Sequence, residues 1–147
     1  MQTHTPMALH IVSRMTAHED VEIYTAAARG VLREAGDRRS LSYTEERDGG
    51  EKVMTILAWE RGGDRLRLTC RGAVRWDSLF APGTTCAARY EVGSLAFDLT
   101  VRCREARLLL DRCGGEIRLL YDRLLGGDKC LVDFRLTAEP MEDLSCS

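Results

Sequence analysis

Apolar and polar residues alternate along most of this chain, in runs of about eight to twelve residues. Between Asp64 and Trp76 the apolar residues, beginning with Leu66 and Leu68, share one parity and the arginines share the other. Such a segment has one buried face and one solvated face when it is a strand, whereas a helix would mix the two sets. The alternation therefore predicts half-buried antiparallel strands.

The same period recurs along the chain and predicts eight to ten strands. Ala26, Ala27 and Ala28 favour a helix, but Gly30 interrupts that segment, so we predict a strand with a bulge near Gly30. The segment from residue 53 to 59 is apolar on both parities, which predicts a strand covered on two sides. The predicted strands cover residues 7–16, 21–34, 38–47, 52–61, 64–76, 85–92, 94–104, 106–113, 116–125 and 129–138.

Glycines lie between successive segments, where tight hairpins need positive φ. Consecutive strands are then neighbours in one sheet, and closing that sheet into a barrel leaves no unpaired edge. We therefore predict an all-β, antiparallel meander barrel of 8–10 strands, as a single domain over residues 1–140 with a polar tail over 141–147. The turn glycines are Gly49-Gly50, Gly62-Gly63, Gly114-Gly115 and Gly126-Gly127.

Several short motifs occur in a fixed order between about residue 7 and residue 138. They are Leu41-Ser42-Tyr43-Thr44-Glu45-Glu46, Thr69-Cys70-Arg71-Gly72-Ala73-Val74, Phe80, Pro82-Gly83, Tyr90, Gly93-Ser94-Leu95, and Gly114-Gly115-Glu116-Ile117 with Tyr121. In these motifs the chain resembles the YwiB-like family of bacterial domains of unknown function. The resemblance implies a lipocalin-like, or calycin-like, β-barrel in a cytoplasmic bacterial protein, and it implies no active site.

Composition narrows the classes of protein further. Hydrophobic residues make up 44% and charged residues 30% of the chain, and the formal net charge is −2. This balance is typical of a folded domain and favours no polyanionic partner. The longest apolar run is too short to cross a membrane as a helix, and the N-terminal residues lack the pattern of a secretory signal. We therefore expect a cytoplasmic protein without a membrane partner.

The six cysteines form no Cys-x-x-Cys motif, and none is close to a histidine in the sequence. We predict reduced thiols, no metal site and no cofactor. Cys70, Cys103 and Cys130 share the apolar parity of their strands and are predicted to lie in the core. Cys113 and Cys146 are predicted to be exposed.

Motifs typical of enzymes are absent from the sequence. The three histidines, His4, His10 and His18, all lie near the first strand, and there is no Gly-x-Ser-x-Gly elbow, phosphate loop or His-Glu-x-x-His motif. An enzyme is therefore the least favoured of three function classes. A cleft that joins His10 to a carboxylate would change that order.

Two charged residues share a parity with apolar residues of their strands. Glu45 follows Tyr43 on one face, and Arg123 follows Tyr121 on another. Together with Tyr90, these residues are predicted to line a polar-tipped pocket for a small ligand, because eight-stranded barrels can hold one. The alternative is that both charges lie at strand ends, where the inner face of the barrel meets water. A non-enzymatic protein that binds a small molecule or a partner is the leading hypothesis, and a homodimer is a further alternative.

Arginines make up all but two of the 21 basic residues, the exceptions being Lys52 and Lys129. A stripe of four arginines on the polar face of one predicted strand could recognise RNA or an acidic protein. No aromatic residue shares that face, which disfavours nucleic acid, and cross-strand acidic partners are the simpler explanation. The stripe consists of Arg65, Arg67, Arg71 and Arg75, and a second stripe would consist of Arg102, Arg104 and Arg107.

Overall fold

A computed structural model describes residues 2–141, which form ten strands and contain no helix. The ten strands are β1 (Gln2–Ala17), β2 (Asp20–Ala35), β3 (Arg38–Glu46), β4 (Lys52–Glu60), β5 (Leu66–Gly72), β6 (Val74–Phe80), β7 (Thr85–Val92), β8 (Leu95–Asp111), β9 (Gly114–Leu125) and β10 (Asp128–Pro140). Within this range no helix is present that could span a membrane.

The sheet is a closed barrel in which every strand pairs antiparallel with its neighbours along the chain. The ring closes where β1 pairs with β10, from Met7 opposite Pro140 to Thr16 opposite Leu131. The predicted all-β antiparallel meander barrel is therefore confirmed, and its architecture is consistent with a lipocalin-like barrel. Only Met141 of the predicted tail belongs to the described range, and residues 142–147 lie outside it.

The number of strands is ten, as in the list of predicted strands, but two segments are divided differently. The segment 64–76 is two strands, β5 and β6, joined by a tight hairpin at Gly72. Residues on both sides of this hairpin point inward at the same parity, so the alternation continues through the turn. Gly72 has a φ of +103°, and a Cβ atom there would overlap the Lys52 carbonyl oxygen, so the turn requires glycine.

The opposite error occurs in β8, which was predicted as two strands over 94–104 and 106–113. A β-bulge between Cys103 and Glu105 changes which residues point inward without ending the strand. Odd-numbered residues such as Val101 point inward before the bulge, and even-numbered residues such as Leu108 point inward after it. The bulge predicted near Gly30 is absent, because the register of β2 with β1 runs through Gly30 without a shift, while pairing with β3 begins at Gly30. A Cβ atom on Gly30 would lie 2.8 Å from the Ser42 carbonyl oxygen, so close packing explains this glycine.

The core fills one half of the barrel, toward the end that carries the β2–β3, β4–β5 and β8–β9 turns. The outer face of β4 is not covered as predicted, since Met54 is 42% exposed. Leu95 and Phe97 share the apolar parity of their strand but are also exposed, because the start of β8 extends past β9 and pairs only with β7. The largest fully buried side chains are Met7, Ile11, Leu32, Leu41, Leu57, Leu66, Phe80, Leu99, Val101, Ile117, Leu119 and Leu136.

The described cysteines lie where they were predicted, but one of them is not reduced. Cys70, Cys103 and Cys130 are buried and free, and Cys113 is exposed. The prediction that every thiol is reduced is wrong at Cys113, which is disulfide-bonded. That prediction was based on the lack of a secretory pattern, which does not decide whether two cysteines meet in the fold. Cys146 lies outside the described residues.

Candidate ligand-binding site

The half of the barrel opposite the filled core contains a cavity of about 320 Å³. It opens toward the end that carries the β3–β4, β5–β6, β7–β8 and β9–β10 turns, and Phe80, Leu99 and Leu119 are the most deeply buried residues of its lining. The structure places all five residues predicted for a pocket on its lining, while ligand binding there stays a prediction. These residues are Tyr43, Glu45, Tyr90, Tyr121 and Arg123.

One wall of the cavity is aromatic. Trp76 packs edge-to-face against Tyr90 and Phe80, with ring centroids 5.8 and 6.1 Å away. Phe80 in turn packs against Tyr121, at a centroid distance of 4.8 Å. Trp76 and Phe80 were not among the predicted pocket residues, although Trp76 shares the inward parity of Val74 and could have been included on that ground.

Arg123 brings a cation into the cavity without an acidic partner. Its side chain is half-buried, and its Nη1 lies 3.9 Å from the Met15 sulfur. Its Nε is buried with no hydrogen-bond partner, and none of the ion pairs within residues 2–141 includes Arg123. A half-buried guanidinium with unused donors favours an anionic group beside it.

The Trp76 indole supplies a second unused donor on the same lining. Its Nε1 is buried and has no hydrogen-bond partner within the described part of the chain. Buried polar groups are usually hydrogen-bonded, so an unpaired one on a cavity wall favours a bound acceptor or water. The cavity therefore combines an apolar, aromatic wall with two donors that have no partner among the described residues.

The carboxylate of Glu45, by contrast, already accepts a hydrogen bond from within the protein. The Tyr24 hydroxyl donates a hydrogen bond of 2.5 Å to it. This hydrogen bond, together with burial and the negative charge of Glu45, raises the pKa of Tyr24 to about 12. Parity could not assign Tyr24 to the pocket, because the residues around it in β2 are exposed on both faces.

The tyrosines and the cysteine deep in the cavity are neutral at pH 7. Burial raises the pKa of Tyr43 and of Tyr121 well above the usual range. Burial also raises the pKa of the Cys70 thiol, which lies 3.7 Å from the Thr55 hydroxyl. These side chains can therefore exchange hydrogen bonds with a ligand, and Cys70 is kept in its unreactive protonated form.

The arginines of the predicted surface stripe do not share one strand. Arg65 precedes β5, Arg67 and Arg71 lie on β5, and Arg75 lies on β6 beyond the hairpin. Arg71 pairs with Asp77 at 3.3 Å and Arg75 with Glu91 at 3.9 Å. These are cross-strand acidic partners of the kind expected for a solvated face, and recognition of RNA or an acidic protein stays a prediction.

The second predicted stripe lies on β8, as expected, but one of its arginines forms an ion pair. The bulge in β8 turns Arg104 toward Asp122, with which it makes two hydrogen bonds of 2.9 Å. Asp122 is 4% exposed, so Arg104 neutralises a buried carboxylate. Arg102 and Arg107 are exposed on the same strand.

The histidines lie away from the cavity. His10 is exposed on the outer face, and its neighbours across the sheet are Ala27 and Thr137. The register therefore places no carboxylate opposite His10. Among residues 2–141, no group of three or more histidine, cysteine, aspartate or glutamate side chains is arranged to hold a metal ion.

A closed antiparallel ring with one unfilled half defines a β-barrel that encloses a small cavity. The family model described as Domain of unknown function (DUF1934) matches residues 9–137, so the chain belongs to that family. The crystal structure of the YwiB protein from Bacillus subtilis is similar, with 27% sequence identity, a TM-score of 0.84 and coverage of 95% of this chain and 94% of that one. The predicted YwiB-like resemblance is thus confirmed. None of the curated proteins compared with the chain matches it.

Proposed function

We propose that this protein binds a small amphipathic molecule, with a flat apolar body and one acidic group, in the cavity of the barrel. The observation that carries the proposal is Arg123, a half-buried cation on the lining with no acidic partner in the described residues. The cavity volume of about 320 Å³ is at the lower end of the range of about 300–1,000 Å³ that is usual for ligand sites.

The aromatic wall of the cavity supports an apolar body for the ligand. Trp76, Tyr90 and Tyr121 present ring faces and edges to the cavity, and Val74 and Leu68 extend this surface. Flat rings pack favourably against such a wall in offset or edge-to-face geometry. A charged or highly solvated body would lose its hydration there without compensation.

The acidic group is supported by the two charges near the opening. Glu45 already accepts the hydrogen bond of Tyr24 and would repel an anion, whereas Arg123 has donors to spare. Arg47, in the β3–β4 turn, also lines the cavity and adds a second positive charge. Because Arg47 is exposed to water, a ligand carboxylate is held most favourably beside the half-buried Arg123.

Binding is favoured over catalysis by the chemistry of the lining. The residues around the cavity include no histidine, and the Cys70 thiol is held protonated. Tyr24, Tyr43 and Tyr121 are neutral phenols with raised pKa values. Such a set can hold and orient a molecule but offers no base poised near pH 7.

The test uses 2-naphthoate as an acidic aromatic probe and 2-naphthalenemethanol as its neutral counterpart. The chain has two tryptophans, so an ¹⁵N-labelled sample gives two indole cross-peaks in an NMR spectrum. Trp59→Phe assigns them. We expect naphthoate to shift the Trp76 peak in a saturable way and to leave the Trp59 peak, at the filled end of the barrel, unchanged.

The contribution of charge is tested with Arg123→Met. This variant should weaken naphthoate binding about tenfold, because it removes a charge-assisted hydrogen bond, and leave the neutral probe nearly unaffected. Arg67→Met, which removes an exposed arginine outside the cavity, is the matched control. The absence of any saturable shift at Trp76, or equal binding of both probes to all three proteins, would refute the proposal.

For the location in the cell, we propose the cytoplasm. The proposal is supported by the four free cysteines within residues 2–141, since small exported domains usually pair their cysteines. Fractionation of cells tests this proposal. Recovery of the protein in the cytoplasmic fraction is expected, whereas recovery in an exported fraction would refute it.

A further inference from the structure

Three buried polar side-chain atoms have no hydrogen-bond partner within residues 2–141. They are Trp76 Nε1, Ser78 Oγ and Arg123 Nε. Trp76 and Arg123 line the cavity, and Arg123 is the residue to which the proposed function assigns the acidic group of the ligand. Buried polar groups are nearly always hydrogen-bonded, so the two unpaired groups on β6 favour a second polar group on the ligand.

Ser78 is the least expected of the three. It is 4% exposed, and the other inward positions of β6 are the apolar or aromatic residues Val74, Trp76 and Phe80. A hydroxyl at such a position loses its hydration, and without a partner it costs more free energy than an alanine would. An apolar side chain would therefore serve the fold better, which favours a role for this hydroxyl beyond packing.

The neighbours of Ser78 on the inner face all belong to the cavity wall. Trp76 precedes it and Phe80 follows it on β6, and Leu68 lies opposite it on β5. All three of these neighbours line the cavity. On the other side, β6 pairs with β7 only as far as Trp76, so no residue of β7 is paired with Ser78. The hydroxyl and the indole N–H are thus neighbouring donors on one wall.

Arg123 lies on a different wall at a similar depth. β7 and β8 separate β6 from β9 in the ring, and Phe80 of β6 contacts Tyr121 of β9 inside the barrel, at a centroid distance of 4.8 Å. Arg123 lies two residues nearer the opening than Tyr121, and Ser78 lies two residues nearer the opening than Phe80. A flat molecule that rests on this aromatic contact therefore has Arg123 on one side and the donors of β6 on another.

We propose that the ligand carries a carbonyl oxygen on its flat body, in addition to the acidic group, and that Ser78 and Trp76 donate hydrogen bonds to this oxygen. The inference rests on the proposed function and narrows the ligand class to aromatic acids with a ketone or amide carbonyl. A carbonyl oxygen has two lone pairs and can accept from both donors at once. A cationic group, by contrast, would leave the indole N–H without an acceptor.

Two probes of nearly equal shape test the carbonyl. The first, 6-acetyl-2-naphthoate, has the acidic group, the flat body and a carbonyl. The second, 6-isopropenyl-2-naphthoate, has a methylene group in place of the carbonyl oxygen. We expect the acetyl probe to bind the wild type about three- to tenfold more tightly, as a net gain in hydrogen bonding predicts. The indole proton of Trp76 should also move further downfield with the acetyl probe.

Ser78→Ala isolates the contribution of the hydroxyl. It should weaken binding of the acetyl probe about threefold and leave the isopropenyl probe unaffected. It should also melt no lower than the wild type, because it removes an unpaired buried hydroxyl. Ser42→Ala is the matched control, since Ser42 lies outside the lining and already accepts a hydrogen bond of 2.9 Å from Arg33. This variant should keep the full preference for the acetyl probe.

The outcomes separate this inference from the proposed function. Equal affinity of the wild type for both probes, with saturable shifts at Trp76, would overturn the inference and leave the proposed function intact. A preference for the acetyl probe that persists undiminished in Ser78→Ala would overturn the role of Ser78. If neither probe shifts the Trp76 peak, the proposed function fails and the inference fails with it.

Discussion

The Tyr24 hydroxyl lies 2.5 Å from a carboxylate oxygen of Glu45 and so connects two strands that share no backbone pairing at this level. β2 and β3 pair only from Gly30 to Ala35, and this side-chain hydrogen bond spans the gap between them at the opening of the cavity. It also fixes the position of Glu45, which is the only carboxylate on the cavity lining among the described residues. The negative charge at the opening is therefore positioned by this pair.

Removing the charge of Glu45 should lower the pKa of Tyr24. In Glu45→Gln we expect the pKa to fall from about 12 toward the ordinary value of 10, because an amide neither repels the phenolate nor holds the phenol proton as strongly. NMR titration of ¹³C-labelled tyrosine measures this, and Tyr24→Phe assigns the signal.

Tyr43 is the internal control for that titration. Its raised pKa is caused mainly by burial and only secondarily by Glu45, so it should stay well above the usual range in Glu45→Gln. If the pKa of Tyr24 does not change while Tyr43 shifts, the assignment of the hydrogen bond is wrong.

Alkaline pH should destabilise the barrel through its buried tyrosines. Burial raises the pKa of Tyr121 above its ordinary value of 10.0, so its stabilising contribution is complete below pH 10. Above pH 10 the unfolded chain releases the proton first, and stability falls until the pH reaches the pKa of the folded state, by about 1.4 kcal/mol per pH unit for each such phenol. Urea unfolding of Tyr121→Phe between pH 9 and pH 11 should show a shallower decline than the wild type. Identical pH slopes in the two proteins would contradict the burial of this hydroxyl.

Truncation in the filled half should cost far more stability than truncation at the rim. Leu57 is fully buried, and Leu57→Ala should lower the free energy of unfolding by about 2–5 kcal/mol. Leu95 is 61% exposed beside the opening, and Leu95→Ala should change the free energy of unfolding by less than about 0.5 kcal/mol. Equal losses in chemical denaturation would mean that the rim is part of the core.

Two glycines with positive φ should respond differently to substitution by alanine. Gly62 has open space where a Cβ atom would lie, so Gly62→Ala should cost about 1–2 kcal/mol from backbone conformation alone. In Gly72→Ala the new methyl group would also overlap the Lys52 carbonyl, so the loss of stability should be clearly larger. Thermal unfolding of the two variants gives the comparison, and a smaller loss in Gly72→Ala would exclude the tight hairpin between β5 and β6.

The ion pair at the bulge should matter more to stability than other arginines of β8. Arg104→Gln leaves the buried Asp122 carboxylate without its cation, so the melting temperature should fall. Arg107→Gln, on the same strand and exposed, should leave the melting temperature nearly unchanged. Should both variants melt alike, Asp122 would have to be solvated.

Parity along the strands is enough to place Glu45 and Arg123 at one cavity, because their strands are regular and their inward neighbours are apolar. It misses the hairpin at Gly72, since the inward parity is the same on both of its sides. It divides β8 in two because the bulge at Arg104 changes the parity within one strand. Whether the interior is hollow depends on how side chains from ten strands meet, and an alternating pattern carries no information on that.

The filled half of the barrel has a consequence for how this family diverges. Because the closed ring is stabilised at one end, residues around the opening at the other end are free to change with little loss of folding stability. Relatives can then differ in sequence around the opening while their backbones stay superimposable. The crystal structure of YwiB, with a TM-score of 0.84 at 27% identity, shows how far the sequence can change while this backbone is kept.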